Sequence, residues 1–276
     1  MFILFDVGGT KIRIAAADKN GCIGEPIIVP TPLDFDEGMR AITDGALILS
    51  KGEKIVSVVG GLAGILDRNH MMLVYGLNIS SWAGKPIKAL LAKALNAPVV
   101  LENDAALAGL GEAVEGAGKD HEIVGYITVS TGVGGARITD KMIDRHTFGF
   151  EPGYQVIDAD GSLCKQCMRR DLQAHISGKA IEEHVGHKGE EIVDRTTWED
   201  VARHLAFGLT NTIVHWSPDV MVLGGSVMQR ISIDRVSELV KENLQIYPEL
   251  PVFARAELGD IGGLYGALHI ACMMNS

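Results

Sequence analysis

Positive charge and cysteine are both scarce in this 276-residue sequence, and each shortage excludes something. Lys and Arg number 25 against 35 Asp and Glu, a formal net charge of -10. General binders of nucleic acid or anionic membrane hold their partners chiefly through clustered Lys and Arg, so neither class fits. Four cysteines, Cys22, Cys164, Cys167 and Cys272, are too few and too scattered for a disulfide scaffold, and a reducing cytoplasm is the simplest compartment. No apolar run approaches the roughly 20 residues that a membrane span requires. The apolar start, Met1 to Phe5, has neither the basic residues nor the length of a secretory signal and reads as a buried strand.

What the sequence has in excess is glycine, 33 residues or nearly double the average of about 7%. Several fall at strand ends. The opening reads as strand (Met1 to Asp6), tight turn (Val7-Gly8-Gly9-Thr10) and strand (Lys11 to Asp18), with a third strand expected over Cys22 to Val29. A helix capped by Asp34 or Asp36 and running to about Ser50 follows. Then come a strand over Lys54 to Val59, a helix over Lys85 to Leu95, and a strand over Pro98 to Leu101 that leads into Glu102-Asn103-Asp104-Ala105. Alternating strands and helices after a hairpin indicate an α/β lobe. The opening recurs from Tyr126 to Ile138 around Ser130-Thr131-Gly132-Val133-Gly134-Gly135, which implies two domains on one plan. Helices near Leu172 to Val185 and Thr197 to Trp216, a strand ending in Gly224-Gly225-Ser226, a strand over Val252 to Leu258 and a last helix over Gly263 to Met274 complete the reading.

Glycine turns offer unhindered backbone N–H groups that can converge on phosphate oxygens. In the first turn Thr10 and Lys11 add a hydroxyl and a cation, and Asp6 at the strand end could hold Mg²⁺ through water. The competing reading is a plain hairpin, because Gly-Gly is a favoured two-residue turn. Neither turn is a dinucleotide fingerprint or a phosphate loop of the Gly-Lys-Ser/Thr type, since each continues into a strand. Asp104 lies where a strand gives way to a helix, which suits a base that removes a proton from an attacking hydroxyl in phosphoryl transfer. The competing reading there is a helix N-cap.

Asp6-Val7-Gly8-Gly9-Thr10-Lys11, Glu102-Asn103-Asp104-Ala105, Ser130-Thr131-Gly132-Val133-Gly134-Gly135 and Leu223-Gly224-Gly225-Ser226, in this order, resemble the ROK family of repressors, open reading frames and sugar kinases. The resemblance implies an α/β, two-lobed actin-like ATPase (ribonuclease H-like) fold with a cleft between two similar domains, 1–105 and 106–262. The final helix, 263–276, would join the first. It implies an ATP- and Mg²⁺-dependent sugar kinase, glucokinase-like, with Asp104 as base. Asp6, Gly8, Gly9, Thr10, Lys11, Thr131, Gly132 and Gly134 would hold phosphate, and Gly224 and Gly225 would lie by the adenosine. The segment Gly76 to Trp82 is similar to the family's sugar loop. Asn78 and Asn103 thereby become sugar ligands, with Gly64 in the neighbouring loop. A cytoplasmic homodimer is implied as well.

The sequence departs from the family around the sugar. Phe150-Glu151-Pro152-Gly153-Tyr154 stands where family kinases carry Gly-Glu-x-Gly-His, so Glu151 is kept and Tyr154 replaces a histidine that contacts sugar and a structural zinc. Counting back from Ser177-Gly178 sets Cys164, Gln166, Asp171, Leu172 and Gln173 on the zinc and flanking positions, and Gln173 replaces a sugar-binding Glu. One ligand of four survives, whereas zinc needs about four in a tetrahedral array, so the family's structural zinc is not expected. A rebuilt site from Cys164, Cys167, Asp171 and His175 competes with two reduced cysteines in a loop, and the thiols are favoured. The other histidines, His70, His121, His146, His184, His187, His204, His215 and His269, form no Ser/His/Asp or metal pattern and are expected on the surface or in the core. Fructose, mannose, N-acetylmannosamine and N-acetylglucosamine are alternative acceptors. Readings of another class are a sugar-sensing repressor and an ATPase-fold protein that activates a partner without sugar turnover. The repressor is disfavoured because the first phosphate turn begins at residue 6, leaving no room for a preceding DNA-binding domain.

Overall fold

The computed structural model describes residues 1–164, 167, 169–187, 191–192 and 194–275; Gln166 lies outside the described residues. The chain divides into two compact units. Unit 1 comprises Met1–Glu115, Arg145–Gly149 and Asp260–Ser276, and unit 2 comprises Gly116–Asp144 and Phe150–Gly259.

In unit 1, β1 (Phe2–Val7) is buried at every residue but Asp6, as a strand flanked on both sides must be. β2 (Lys11–Ala17) returns antiparallel to it, and β3 (Ile27–Pro30) pairs antiparallel with β2. This third strand is shorter than expected, because residues 22–26 contribute only an isolated bridge, Ala17 to Ile23. α1 (Phe35–Ser50) is capped by Asp34, whose carboxylate accepts the Glu37 N–H at 2.9 Å. Its buried positions, Phe35, Met39, Ile42 and Ala46, recur at helical spacing and pack into the apolar core of this unit. β4 (Ser57–Leu62) runs parallel to β1, followed by a small hairpin, β5 (Ile65–Leu66) and β6 (Leu73–Tyr75), that the sequence reading did not include. α2 (Ile87–Leu95), β7 (Val99–Asn103) and α3 (Asp104–Val114) follow, with β7 parallel to β4. The sheet order is β3-β2-β1-β4-β7.

Unit 2 repeats the plan. β8 (Ile123–Val129), β9 (Val133–Thr139) and the short β10 (Met142–Ile143) are antiparallel neighbours. The single helix expected over Leu172 to Val185 is two, α4 (Leu172–Ile176) and α5 (Gly178–Val185). Ser177 ends the first in extended backbone and caps the second by accepting the Ala180 N–H. α6 (Arg195–Trp216), β11 (Val220–Gly224), α7 (Ile233–Asn243) and β12 (Val252–Arg255) complete the unit, and α7 was not anticipated. The order is β10-β9-β8-β11-β12, with β11 parallel to both β8 and β12. Leu205, Leu209, Leu223 and Val240 join Ile127 and Val129 in its core.

The last helix, α8 (Gly262–Met273), belongs to unit 1 and packs on α3. Glycine makes this possible: a Cβ on Gly111 would lie 2.1 Å from the Gly262 carbonyl oxygen, and one on Gly266 2.0 Å from that of Leu107. All of α3 therefore lies in unit 1, and so does the excursion 145–149. The expected boundary after residue 105 falls short of both. No helix among the described residues is long and apolar enough to cross a membrane.

Candidate active site

In unit 1 the candidate phosphate and acceptor residues gather at the ends of β1, β4 and β7. The β1–β2 turn is closed by the Gly8 N–H donating to the Lys11 carbonyl at 3.0 Å, and the Thr31 hydroxyl donates to the Gly8 carbonyl at 2.8 Å. Thr10 and Lys11 are exposed on it. Gly9 is required by proximity: a Cβ there would meet the Asn78 Nδ2 at 2.6 Å. Asn78 thus packs on the turn.

Parallel pairing of β1, β4 and β7 sets Asp6, Gly61 and Glu102 side by side in register, with Asp104 two residues beyond Glu102. A Cβ on Gly61 would lie 3.1 Å from the Asp104 Cα and 3.3 Å from the Asp6 Oδ1. The two aspartates therefore flank a residue with little room for a side chain. Desolvation raises the Asp104 pKa from 3.8 to about 6, against a lowering by the Ala105 N–H, which donates to Oδ1 at 2.9 Å. Desolvation, then the negative charge of Asp104, raises Asp6 to about 7, with Arg13 opposing from 3.6 Å. Asp104 ionises first, and its charge holds the proton on Asp6.

Arg13 is a site residue that the sequence reading missed. The hairpin register pairs it with Asp6 across β1 and β2, and its guanidinium also bonds Asp260 at 2.6 Å. The signal was available: the two lie at matching places on either side of the expected Gly8-Gly9 turn, where a hairpin sets residues opposite one another.

The helix cap falls on Asn103, not on Asp104. The Asn103 Oδ1 accepts the Ala106 N–H at 2.9 Å, and its Nδ2 donates to the Gly64 carbonyl at 3.0 Å. This frees the Asp104 carboxylate from capping and commits both ends of the Asn103 amide to the protein. Gly64 has φ 143°, and a Cβ there would lie 2.2 Å from the Tyr75 carbonyl oxygen, so only glycine serves.

In unit 2 the second turn joins β8 to β9, with Thr131 exposed and Gly132 and Gly134 half-buried. Gln173 lies behind this turn: its Oε1 accepts the Val133 N–H at 2.8 Å and would be 2.8 Å from a Cβ on Gly132. Its carbonyl is thus spent on the turn, unlike the sugar contact expected of it. Gly178, first in α5, donates its N–H to the Ser130 carbonyl at 2.7 Å. Gly225 has φ 93°, a Cβ there would lie 2.2 Å from the Val129 carbonyl oxygen, and the Ser226 and Ser130 hydroxyls are 3.3 Å apart. A Cβ on Gly224 would meet the Tyr126 hydroxyl at 2.9 Å. The turn, the end of β11 and the start of α5 therefore converge. Glu151 precedes the single helical turn Pro152–Tyr154, and a Cβ on Gly153 would touch the Val133 carbonyl.

The zinc of the family does not fit the residues present. The Arg169 guanidinium lies over the ring of Tyr154, 4.8 Å from its centroid. Asp171 caps α4 and pairs with Arg169 at 2.6 Å. His175 spends Nδ1 on the Asp171 carbonyl and Nε2 on Asp158. Cys164 and Cys167, expected as thiols, form a disulfide, with their Cα atoms 5.4 Å apart, within bridging distance. The His184 Nε2, not Asp171 or His175, lies beside the pair, 3.2 Å from the Cys167 Sγ.

Two units that each open on a glycine-turn hairpin and repeat one five-strand order define an actin-like ATPase fold. The chain belongs to the ROK family, whose model matches residues 3–273. It is 28% identical over 305 aligned residues to a glucokinase of Streptomyces coelicolor, with 96% of each chain covered. Among solved structures it is similar to a ROK hexokinase from Thermus thermophilus (TM-score 0.86, 28% identity, 100% of this chain and 99% of that one). A second is a ROK family glucokinase from Streptomyces griseus in complex with glucose and AMPPNP (TM-score 0.83, 26% identity, 98% of each).

Proposed function

We propose that the protein transfers the terminal phosphoryl group of ATP to a sugar hydroxyl, with Asp104 as the general base. The observation that carries this is the Asp6–Asp104 pair beside the Gly8-Gly9 turn. Asp104 has a pKa raised to about 6, so near neutral pH it is ionised yet more basic than an ordinary carboxylate, as proton abstraction requires. The first turn, with Thr10 and Lys11, and the second, with Thr131, Gly132 and Gly134, are assigned to the nucleotide phosphates, and Gly224 and Gly225 to the adenosine side. The S. griseus complex with AMPPNP supports ATP as donor.

Two neighbouring carboxylates, of which Asp104 raises the proton affinity of Asp6, are a fitting donor set for a divalent cation, which would relieve that repulsion. Asp6 would hold Mg²⁺, which supplies charge neutralisation at the phosphates when bound. Asp104 takes the proton of the acceptor hydroxyl at its carboxylate, while Asn78, Asn103, Glu151, Tyr154 and Gly64 orient the acceptor. Asn103 can do so only with the hydrogen-bonding capacity left after its cap and its bond to Gly64. Glucose is the first acceptor, supported by the names of the relatives. Cytoplasmic location and homodimeric assembly are part of this proposal and rest on the family resemblance.

The test is ADP release with glucose, fructose, mannose, N-acetylmannosamine and N-acetylglucosamine, for the wild type and Asp104→Asn. Sugar-stimulated release in the wild type alone is the expected result. No stimulation by any sugar would favour an ATPase-fold protein without sugar turnover.

A further inference from the structure

Beside the Asn103–Asp104 turn lie three titratable side chains that the proposed chemistry leaves unused. Glu102 is 8% exposed, and a buried carboxylate needs donors. One is its neighbour, since Oε1 accepts the Asn103 N–H at 2.8 Å. Two histidine rings stand beside its other edges. The His70 Nδ1 lies 3.2 Å from the Leu101 carbonyl oxygen and 3.4 Å from the Glu102 Oε2. A carbonyl only accepts, so this nitrogen carries a proton. The His146 Nδ1 takes the Gly149 N–H at 2.8 Å, and a backbone N–H only donates. The proton of the neutral ring is therefore on Nε2, which faces the Glu102 Oε1 from 4.0 Å, a dipole-to-charge contact longer than a hydrogen bond. The rings stack with centroids 5.5 Å apart and planes at 20°.

Both histidines are held for this. The 67–72 turn fixes His70: its N–H donates to the Asp67 carbonyl, the Asp67 carboxylate accepts the Met71 and Met72 N–H groups, and His70 itself has φ 50°. His146 lies in 145–149, a segment of unit 1 whose chain neighbours on both sides belong to unit 2, and Glu151 follows five residues on.

We infer that His70 and His146 are positioning residues: acting through Glu102, they fix the backbone turn that presents Asn103 and Asp104, and they tie it to the segment leading to Glu151. The hydrogen bond to Glu102, opposed by burial, raises the His70 pKa above its ordinary value, consistent with a ring held against a carboxylate. Two histidines and a carboxylate are also a common metal set. Here a metal on the His146 Nε2 would need that nitrogen bare, while the Gly149 N–H needs the lone pair on Nδ1, and a neutral ring cannot meet both demands.

The effect on turnover rests on the sugar-kinase reading, whereas the geometry does not, and the test separates them. In imidazole ¹H–¹⁵N spectra of the full chain, His146 should show the Nε2–H form and His70 a protonated Nδ1. Amide hydrogen exchange at Asn103, Ala105 and Ala106 should accelerate about tenfold in Glu102→Ala, the factor that accompanies loss of roughly one buried hydrogen bond. His70→Ala and His146→Ala should each accelerate it less, and should add nothing in the Glu102→Ala background. His70→Asn and His146→Gln, which return an N–H at the same place, should restore the wild-type rate. With glucose and ATP, the two alanine variants should lower kcat by a larger factor than they raise KM. Unaltered exchange in Glu102→Ala, additive effects in the double variants, or a change in KM alone would overturn the proposal. So would Zn²⁺ that raises the melting temperature of the wild type and removes the His146 Nε2–H signal. Should no sugar support turnover, the kinase reading fails, and exchange and tautomer still decide this one.

Discussion

Asp104 and Asp158 are two aspartates withdrawn from water, one in each unit, whose pKa values move in opposite directions. Burial raises both. Yet Asp104, half-buried, is raised to about 6, while Asp158, whose side chain has no exposure at all, is lowered to about 2. Desolvation opposes ionisation at both, and the donors around each carboxylate differ. At Asp158 the burial cost is outweighed by the Leu163 and Cys164 N–H groups at 3.1 and 3.3 Å and by His175 at 3.3 Å; Arg170 stands 3.4 Å away. At Asp104 the Ala105 N–H is a weak counterweight, and Asp6 stands near it across Gly61. A saturated buried carboxylate holds a loop together. An undersaturated one keeps its proton affinity for chemistry.

Substitution is the most direct way to break this comparison. Asp104→Asn should lower sugar-dependent kcat by at least about 100-fold, the low end of what a general base contributes, while the melting temperature holds or rises because a charge cost is removed. ADP-release kinetics and a thermal melt check both halves. Asp158→Asn should do the reverse. The buried His175 and the exposed Arg170 lose an anionic partner, so the melting temperature should fall by clearly more than in Asp160→Asn, a substitution of a nearby aspartate whose carboxylate accepts the Ser162 N–H. An Asp158→Asn protein as stable as that control would sink the distinction.

The pH dependence sharpens the comparison, because the two signs differ. Asp104 and Asp6 have folded pKa values above their ordinary 3.8. Their contribution to stability is full below 3.8 and is lost as pH rises through about 6 to 7. Asp158 lies below 3.8, so its contribution is present above 3.8 and is lost as pH falls toward about 2. In melts across pH, Asp104→Asn should flatten the loss between pH 4 and 7, and Asp158→Asn the loss below pH 4. In the nucleotide-free enzyme, kcat/KM should climb through about pH 6 as Asp104 ionises.

The smallest effect concerns the bridge beside Asp158. Cys164→Ser keeps the backbone N–H that Asp158 accepts and removes the disulfide. Because the bridge closes a loop of only a few residues, the cost should stay within ~2 kcal/mol, read as a small drop in melting temperature equal to that of the reduced wild type.

The order of elements was legible wherever the pattern is local. Apolar runs ending in glycine mark β1, β4, β8 and β11, and the Asp34 cap with its periodic stripe marks α1. The β5–β6 hairpin and α7 were not read, although the strong amphipathic pattern from Ile233 to Asn243 was present in the sequence. Around the site, the pairing of Arg13 with Asp6 was readable from hairpin register, whereas the cap on Asn103 required the local backbone. Gln173 illustrates the other kind of case. Its hydrogen bond to Val133 spans 40 residues, and no spacing rule connects them. His70 and His146 meet at Glu102 in the same way, from three separate segments.

By itself, then, the sequence determined which backbone turns are bare of side chains and which carboxylate follows a strand into a helix, because these depend on residues within a few positions of one another. Tertiary structure decided what surrounds each carboxylate. Asp104 and Asp158 are chemically identical in the sequence. Their proton affinities separate only when parallel strand register sets Asp6, Gly61 and Glu102 side by side near one, and a folded loop turns its N–H groups on the other.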